Sequence, residues 1–409
     1  GATVPRIVAD AADLTAMSSL VESTRVVIST VGPYAKYGPV LVEAAAKAGT
    51  DYCDLTGEPQ WMSKMIDAHQ AAAEESGARI VHSCGFDSIP SDLGVWFTQK
   101  PALTRFEEPC TQIEMRVKTL KGGASGGTIA SGLNVVAEAA ADPSLRKVLA
   151  NPYALAPAEH RFGVDQPNVT LPKRDAASGG WVAPFVVASV NTKFVHRTNG
   201  RLGHRGGREF RYEGAMMTGS GPLGANKSGG MVGGLGAGMA LVVIGQVRRL
   251  LEKRVLPKPG EGPSPEAQQA GSFDLRFYGT TGAGQRVTTK VTGDADPGYG
   301  STAKMLGEAA LCLLGTDRSD VAGGFWTPAS ALGDELLVID ESPAAAEHLQ
   351  ACLSLDLERE IRIPGAEVVT LVEIAQAGQQ VAAKEAEIGV RHAADVIDAV
   401  GQLSLLPLS

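Results

Sequence analysis

The sequence is poor in the residues that staple or metallate a fold. Its 5 cysteines, Cys53, Cys84, Cys110, Cys312 and Cys352, are scattered, with no C-x-x-C pair and no histidine at ligand spacing. That excludes a disulfide framework and a cysteine metal centre, and it implies reduced thiols in a cytoplasmic setting; no metal is expected. Basic runs interleaved with aromatics are missing too. With 37 Lys and Arg against 45 Asp and Glu, the net charge is -8, which argues against a nucleic-acid surface. The glycine cluster Gly122-Gly123-Ala124-Ser125-Gly126-Gly127-Thr128 is followed by no lysine and lacks P-loop spacing. It reads instead as a tight strand-to-helix crossing, or as a surface where substrate or another subunit approaches closely.

Charge is also absent from Ser228 to Val247, where Gly230, Gly234 and Gly238 recur at every fourth position before Arg248, Arg249, Lys253 and Arg254. Three readings stay open for this stretch. It could be a buried or subunit-interface helix, a membrane-surface or lipid-facing element with a basic flank, or a span. Seven glycines in a segment of that length give weak hydrophobic drive and poor helix propensity, which counts against a span.

What is present is an ordinary globular composition, 44% apolar and 20% charged over 409 residues, enough for two domains. The chain is organised around Val26 to Gly94. Val26–Val31 is a β-branched run broken at once by Gly32-Pro33, as a buried parallel strand ends at the lip of a sheet. Tyr37–Ala48 has helical spacing and stops at Gly49, and Ala78–Ser83 is the next strand. Strand, helix, strand with glycine-rich breaks is a βαβ unit, so an α/β fold with a Rossmann-like parallel sheet is expected, its ligands beyond the carboxyl ends of the strands. Before it, Pro5–Asp10 reads as a strand and Asp13 as the N-cap of a short helix to Val21.

Several polar groups converge at Asp51–Glu58, as in a substrate or cofactor loop, though solvated turn residues look the same. Pro59–Ser76 is helical. The Cys84–Asp92 loop is the candidate floor of an active site. Pro90 suits a first helical turn, and Ser91, Asp92 and nearby free amides could hold an anionic or carbonyl group. Asp87 and Ser88 could equally just cap the helix Pro90–Phe97. Cys84 reads as a structural thiol.

Beyond Pro101 strand texture takes over, for example at Gln112–Val117, and a second, α+β domain begins near there. Asn151–Gly180 reads as a long loop or lid. Trp181–Val195 reads as strand, with Asn191-Thr192 as a substrate contact or a turn. Phe273–Tyr278 and Gln285–Val291 form a hairpin, and Ser301–Leu314 a helix. Glu341–Ser409 has helical spacing, notably over Val368–Ala386.

Thr30–Glu58 (TVGPYAKYGPVLVEAAAKAGTDYCDLTGE) followed by Cys84–Gly94 (CGFDSIPSDLG) resembles the saccharopine dehydrogenase-like oxidoreductases, and most of all their trans-acting enoyl reductase branch. The likeness continues in order through Lys121–Ser131, Asn191–Asn199, Phe210–Met217, Pro257–Ser264 and Asp296–Leu311, and ends near Trp326–Leu337. The resemblance implies a dinucleotide-binding domain at 1–110, a substrate or dimerisation domain at 111–295 containing the glycine-rich helix 228–247, a helical return to the first domain at 296–337, and a helical tail at 338–409. It implies that Thr30, Val31, Gly32, Pro33 and Tyr34 run under the nicotinamide ribose, with Asp10 near the adenine of NADP or NAD. The family's first βα units, with their Gly-rich turn, are expected to precede Gly1, so this chain is expected to bind cofactor weakly.

The implied reaction is hydride transfer to a small-molecule or carrier-bound lipid substrate, favouring an enoyl thioester. Tyr34 is the expected proton donor, Asp87 its orienter, and Ser91 a third catalytic candidate. True saccharopine chemistry fits less well, because no arginine cluster suits an amino-diacid. The alternative is an impaired scaffold of the same fold at a lipid or membrane surface. A homodimer is compatible with either.

Overall fold

The computed structural model describes residues 9–123, 125–161, 163–243 and 262–336, and the strands at 338–340, 349–352, 368–373 and 384–389. The expected strand at Pro5–Asp10 and the basic flank after Val247 lie largely outside them.

The βαβ reading holds at the centre. Strands β1 (Val26–Ser29), β2 (Asp51–Asp54) and β3 (Arg79–Val81) pair in parallel, β1 on β2 and β2 on β3. Helices Pro39–Ala48 and Pro59–Ser76 make the crossovers. Each ends on a left-handed glycine, Gly49 (φ 78°) and Gly77 (φ 84°), a conformation only glycine adopts cheaply. Asp13 caps the helix Leu14–Glu22, accepting from the amides of Thr15 and Ala16.

These strands are buried on both faces, and alternate residues serve two cores. Val27, Tyr52 and Ile80 pack against the helices of the first layer, with Leu41, Val42, Trp61 and Met62. Val26, Ile28, Cys53 and Val81 face a larger core shared with Leu93 and Phe97 of helix Ile89–Phe106, Leu306 and Ala310 of helix Gly300–Gly315, and Phe273 and Leu275 of the second sheet. The helix Gly300–Gly315 therefore joins the two sheets. The buried Asp51 carboxylate pairs with Arg79, whose Nη1 also donates to the Thr316 carbonyl at 2.8 Å, clamping β3 to the end of that helix.

The second sheet is mixed. It contains β4 (Cys110–Lys121), β5 (Lys173–Arg174), β6 (Trp181–Pro184), β7 (Arg211–Gly219), β8 (Ser272–Thr281) and β9 (Arg286–Gly293), with β4 central between β7 and β8. The hairpin β8–β9 pairs Phe273 with Gly293 through to Thr280 with Arg286. The chain then returns: β10 (Gly324–Trp326) adds in parallel to β3, while β11 (Val338–Asp340) and β12 (Leu349–Cys352) extend the second sheet beyond β9. Finally β13 (Val368–Glu373) lies parallel on the free edge of β1, with β14 (Lys384–Gly389) antiparallel outside it.

Two readings of the sequence need correction. Trp181–Val195 is not a strand throughout: β6 stops at Pro184 and a helix runs from Ala188 to Arg201. The described parts of the tail are strands rather than helix, and Val368–Glu373 is a β-branched run that docks on β1. The uncharged stretch from Ser228 belongs, as far as Val243, to a helix, Gly221–Val243, that is largely exposed within this chain; this removes the reading as a helix buried in this chain and is compatible with a subunit interface or a lipid-facing surface. A Cβ at Gly229, Gly230, Gly233, Gly234, Gly236 or Gly238 would meet nothing within 4 Å, and Leu223 is 67% exposed. Among the described residues no helix is long and apolar enough to cross a membrane.

Candidate functional site

Parallel strands leave their carboxyl ends free, and here β1, β2 and β3 all end on one cavity of about 1330 Å³ between the two sheets. Pockets for single small ligands run to roughly 300–1,000 Å³, so this one has room for two reactants. Its floor is Thr30–Gly32 and Tyr34 after β1, Leu55 and Gly57 after β2, and Ser83 with Gly85–Asp87 after β3. The opposite wall is apolar: Val135 and Val136 of helix Gly126–Ala141, Phe185 to Val187 after β6, Met216 of β7, and Met231 and Leu235 of the glycine-rich helix.

The turn after β1 is held by a residue the sequence reading left unassigned. The Glu58 carboxylate accepts from the Tyr34 amide at 2.7 Å and the Ala35 amide at 3.1 Å. Burial raises its pKa, against the lowering effect of those amides and of the Ser131 hydroxyl. The Gly32–Pro33 peptide is cis, and Pro33 occupies the N-cap position of the short helix Tyr34–Tyr37. Thr30, Val31 and Gly32 line the cavity, whereas Pro33, also expected beneath the nicotinamide ribose, is not part of its lining. At Gly32, however, the close neighbour is the chain itself: a Cβ there would lie 3.1 Å from Ser131 Oγ and 3.5 Å from the Tyr34 ring. Asp10 sits apart, in an exposed turn where its carboxylate accepts from the Ala12 amide at 2.9 Å.

Tyr34 presents its ring to the cavity, but its hydroxyl is engaged. It donates to the Ser29 carbonyl at 3.0 Å and accepts from the Leu55 amide at 3.2 Å. Burial, reinforced by the charge of Asp54, pushes the phenol well above its ordinary value. A phenol has one proton, and this one is committed to joining the ends of β1 and β2. Tyr34→Phe should therefore act on stability, leaving a buried amide and carbonyl without their partner, at a cost of about 1–3 kcal/mol. Denaturant unfolding should register that loss, while a turnover loss without loss of stability would return the hydroxyl to chemistry.

Asp87 is differently placed. Its half-buried carboxyl lines the cavity 4.0 Å from where a Gly57 Cβ would stand, and burial alone pushes its pKa up to about 6. It does not cap the following helix, and Ser88, at the N-cap position, makes no side-chain cap bond either. Beyond Asp87 the loop turns into the protein. Ser91 Oγ accepts from Asn191 Nδ2 at 2.8 Å, and Asp92 accepts from Thr198 Oγ1 at 2.5 Å and the Ala329 amide at 2.9 Å. Both residues are buried, outside the cavity lining, and they hold helix Ile89–Phe106 to helix Ala188–Arg201. Cys84 is buried with its thiol directed at the Val81 carbonyl, and burial raises its pKa well above normal, as suits a structural thiol.

Two further features escaped the sequence reading. Lys193 lines the cavity although only 2% exposed, and it lies within the misread strand. Gly219-Ser220-Gly221-Pro222-Leu223-Gly224 matches the dinucleotide glycine pattern, and it does sit between β7 and a helix. Its last glycine serves close packing, since a Cβ at Gly224 would lie 2.3 Å from the Gly219 carbonyl oxygen, and none of the three glycines lines the cavity. A third cluster, Glu114, Asp175 and Glu213, has the geometry of a metal site. Its carboxylates are instead taken by the guanidinium of Arg116, at 2.7, 2.8 and 2.7 Å.

No family model matches the chain. A Mycobacterium tuberculosis protein provisionally named a trans-acting enoyl reductase is 43% identical over 360 residues, 85% of each chain. Proteins named trans-acting enoyl reductase are similar at 36% identity in Mycobacterium bovis (81% of this chain, 82% of the relative) and at 37% in Mycobacterium ulcerans (81% and 82%). A solved amine dehydrogenase from Mycobacterium smegmatis overlaps 76% of this chain and 77% of its own at 12% identity and a TM-score of 0.29, too loose a likeness to bear on the fold.

Proposed function

The chain belongs to the trans-acting enoyl reductase family and is an oxidoreductase; on that premise we propose that it reduces the carbon–carbon double bond of an enoyl thioester carried on a small molecule or a carrier protein. The wider relationship we propose is to the saccharopine dehydrogenase-like oxidoreductases, on the motifs Thr30–Glu58 and Cys84–Gly94. When bound, NADP or NAD would supply the hydride. The residues at the strand ends fit a nicotinamide: Thr30 and Val31 offer backbone at the lip of β1, and the space beside Gly57 is open as far as the Asp87 carboxylate at 4.0 Å. In this reading residues 1–110 hold the cofactor and 111–295 the substrate.

Hydride addition to the β-carbon leaves an enolate, and a proton must then reach the α-carbon. Asp87 is the residue we assign to that proton. Its carboxyl faces an apolar cavity at the end of β3, and burial holds it protonated to higher pH than an ordinary aspartate. This placement of Asp87 is the observation that carries the reading. The apolar wall from Val135 to Leu235 suits an acyl chain.

The test is to incubate the full chain with an enoyl thioester and deuterium-labelled NADPH or NADH, and to analyse the product by mass spectrometry. One deuterium at the β-carbon and one solvent proton at the α-carbon are expected. If neither cofactor yields saturated thioester from a coenzyme A-bound or a carrier-bound substrate, the reductase reading fails.

A further inference from the structure

A lysine buried away from carboxylates asks for an explanation, because buried charges are normally paired. Lys193 lies in helix Ala188–Arg201 and lines the cavity. Its Nζ donates to the Leu149 carbonyl at 2.8 Å and the Ser189 carbonyl at 3.0 Å. An ammonium has three N–H donors, so one remains. Burial, with no opposing charge, pushes its pKa down to about 8. No fold role requires a charge here, since neutral donors would satisfy both carbonyls.

A second cation lines the same cavity. Arg146 lies on the same short helix, Pro143–Ala150, as Leu149, three residues earlier and so on the same face. Its guanidinium donates to the carbonyls of Ala139 (2.7 Å) and Ala140 (3.3 Å), at the end of helix Gly126–Ala141. Arg146 is exposed where Lys193 is buried, and both line the cavity, so the first stands at the rim and the second in the wall. The lining of the cavity as a whole is mainly apolar.

We propose that Lys193 and Arg146 form a phosphate subsite that reads the pantetheine arm of the thioester substrate. The inference rests on the enoyl thioester reading, which determines the chemistry of the anion. A thioester-borne acyl chain has no free carboxylate, whereas its pantetheine arm, on coenzyme A or on a carrier protein, carries a phosphate. Lysine suits a phosphate as a compact point charge, and arginine adds a planar fork at the rim. The other source of the same chemistry is a phosphate of the nicotinamide cofactor, and the experiment separates the two.

Phosphopantetheine and dephosphorylated pantetheine are titrated calorimetrically into the full chain, into Lys193→Met, Lys193→Arg and Arg146→Gln, each checked for folding by its thermal midpoint. The parent should prefer the phosphorylated ligand by about tenfold or more, the increment of a charge-assisted hydrogen bond. Lys193→Met and Arg146→Gln should each remove most of that preference, and Lys193→Arg should keep it. NADPH affinity should be unchanged in all variants. Equal binding of the two ligands by the parent overturns the proposal, as does a preference that survives in both neutral variants. A loss confined to NADPH affinity overturns it too, by assigning the phosphate to the cofactor. Should Lys193→Met fail to fold, the rim variant Arg146→Gln decides. These titrations need no turnover, so a parent that binds the phosphorylated arm but reduces nothing would sink the reductase reading alone.

Discussion

Replacing Asp87 by asparagine should lower kcat for thioester reduction by about 10²–10⁴-fold, the usual worth of a positioned proton donor. Shape is conserved, and the burial that pushes the carboxyl up to about 6 marks a group that costs stability when charged, so folding should not suffer. The sign follows from linkage. The folded state holds this proton more tightly than the unfolded chain, so the contribution of Asp87 is most favourable below its unfolded value. Stability is then lost as pH rises through about 6. Above that pH, Asp87→Asn should unfold at a higher temperature than the parent while turning over far more slowly. The parent kcat should also fall as pH climbs past about 6, because the acid form is consumed, and the variant profile should be flat there. A residue that only packs would show neither the pH change nor the opposite movements of stability and rate. If Asp87→Asn reduces enoyl thioester at the parental rate with an unchanged pH profile, the proton comes from elsewhere.

Much of the first layer could be read from the chain because local and global preferences agree there. Val26–Ser29 is β-branched and buried, Gly49 ends its helix in the conformation that favours glycine, and Asp13 caps where a cap was expected. The resemblance brought Thr30 to Gly32, Tyr34 and Asp87 to one cavity without any knowledge of its walls. What failed was whatever depended on distant partners. Helix Ala188–Arg201 is full of β-branched and polar residues and reads as strand in isolation. In the fold several of its polar groups find partners far along the chain, Asn191 in Ser91, Arg197 in the Phe325 carbonyl, and Thr198 in Asp92. Ser91 looked like a site residue for the same reason: its partner lies 100 positions away. Tyr34 was found as a position but not as a role, because a hydroxyl bound to two backbone groups looks the same in sequence as a free one. Lys193 was hidden inside the misread strand, and only the cavity distinguishes it from a surface lysine.

Arg116→Ala should be among the most destabilising single changes in the molecule, costing about 3–5 kcal/mol in denaturant unfolding, as the loss of one partner from a buried ion cluster does. The guanidinium is buried at the centre of β4, and it reaches Asp175 beside β5, Glu213 on β7 and its own neighbour Glu114. It also donates to the Met115 and Glu213 carbonyls, so it ties the central strand to β7, which carries Met216, and to the turn after β5. Without it, the buried carboxylates of Asp175 and Glu213 are left with Lys173 at 3.1 Å from Glu213 and the Ser178 amide and hydroxyl on Asp175 to offset them. Burial by itself would raise the Asp175 carboxyl, but Arg116 and Ser178 bring it below its ordinary value. In the parent, that group contributes stability above its unfolded pKa and loses it as pH falls through the lower folded one. Removing Arg116 reverses the sign, because an unpaired buried carboxylate binds its proton more tightly than the unfolded chain does. The variant should therefore lie furthest below the parent near neutral pH and draw closer on mild acidification. Adding Asp175→Asn to Arg116→Ala should recover part of the loss, whereas Asp175→Asn alone should destabilise. If Arg116→Ala unfolds at the parental midpoint at neutral pH, or if its deficit grows on acidification, the cluster does not hold the second sheet together in the way its geometry implies.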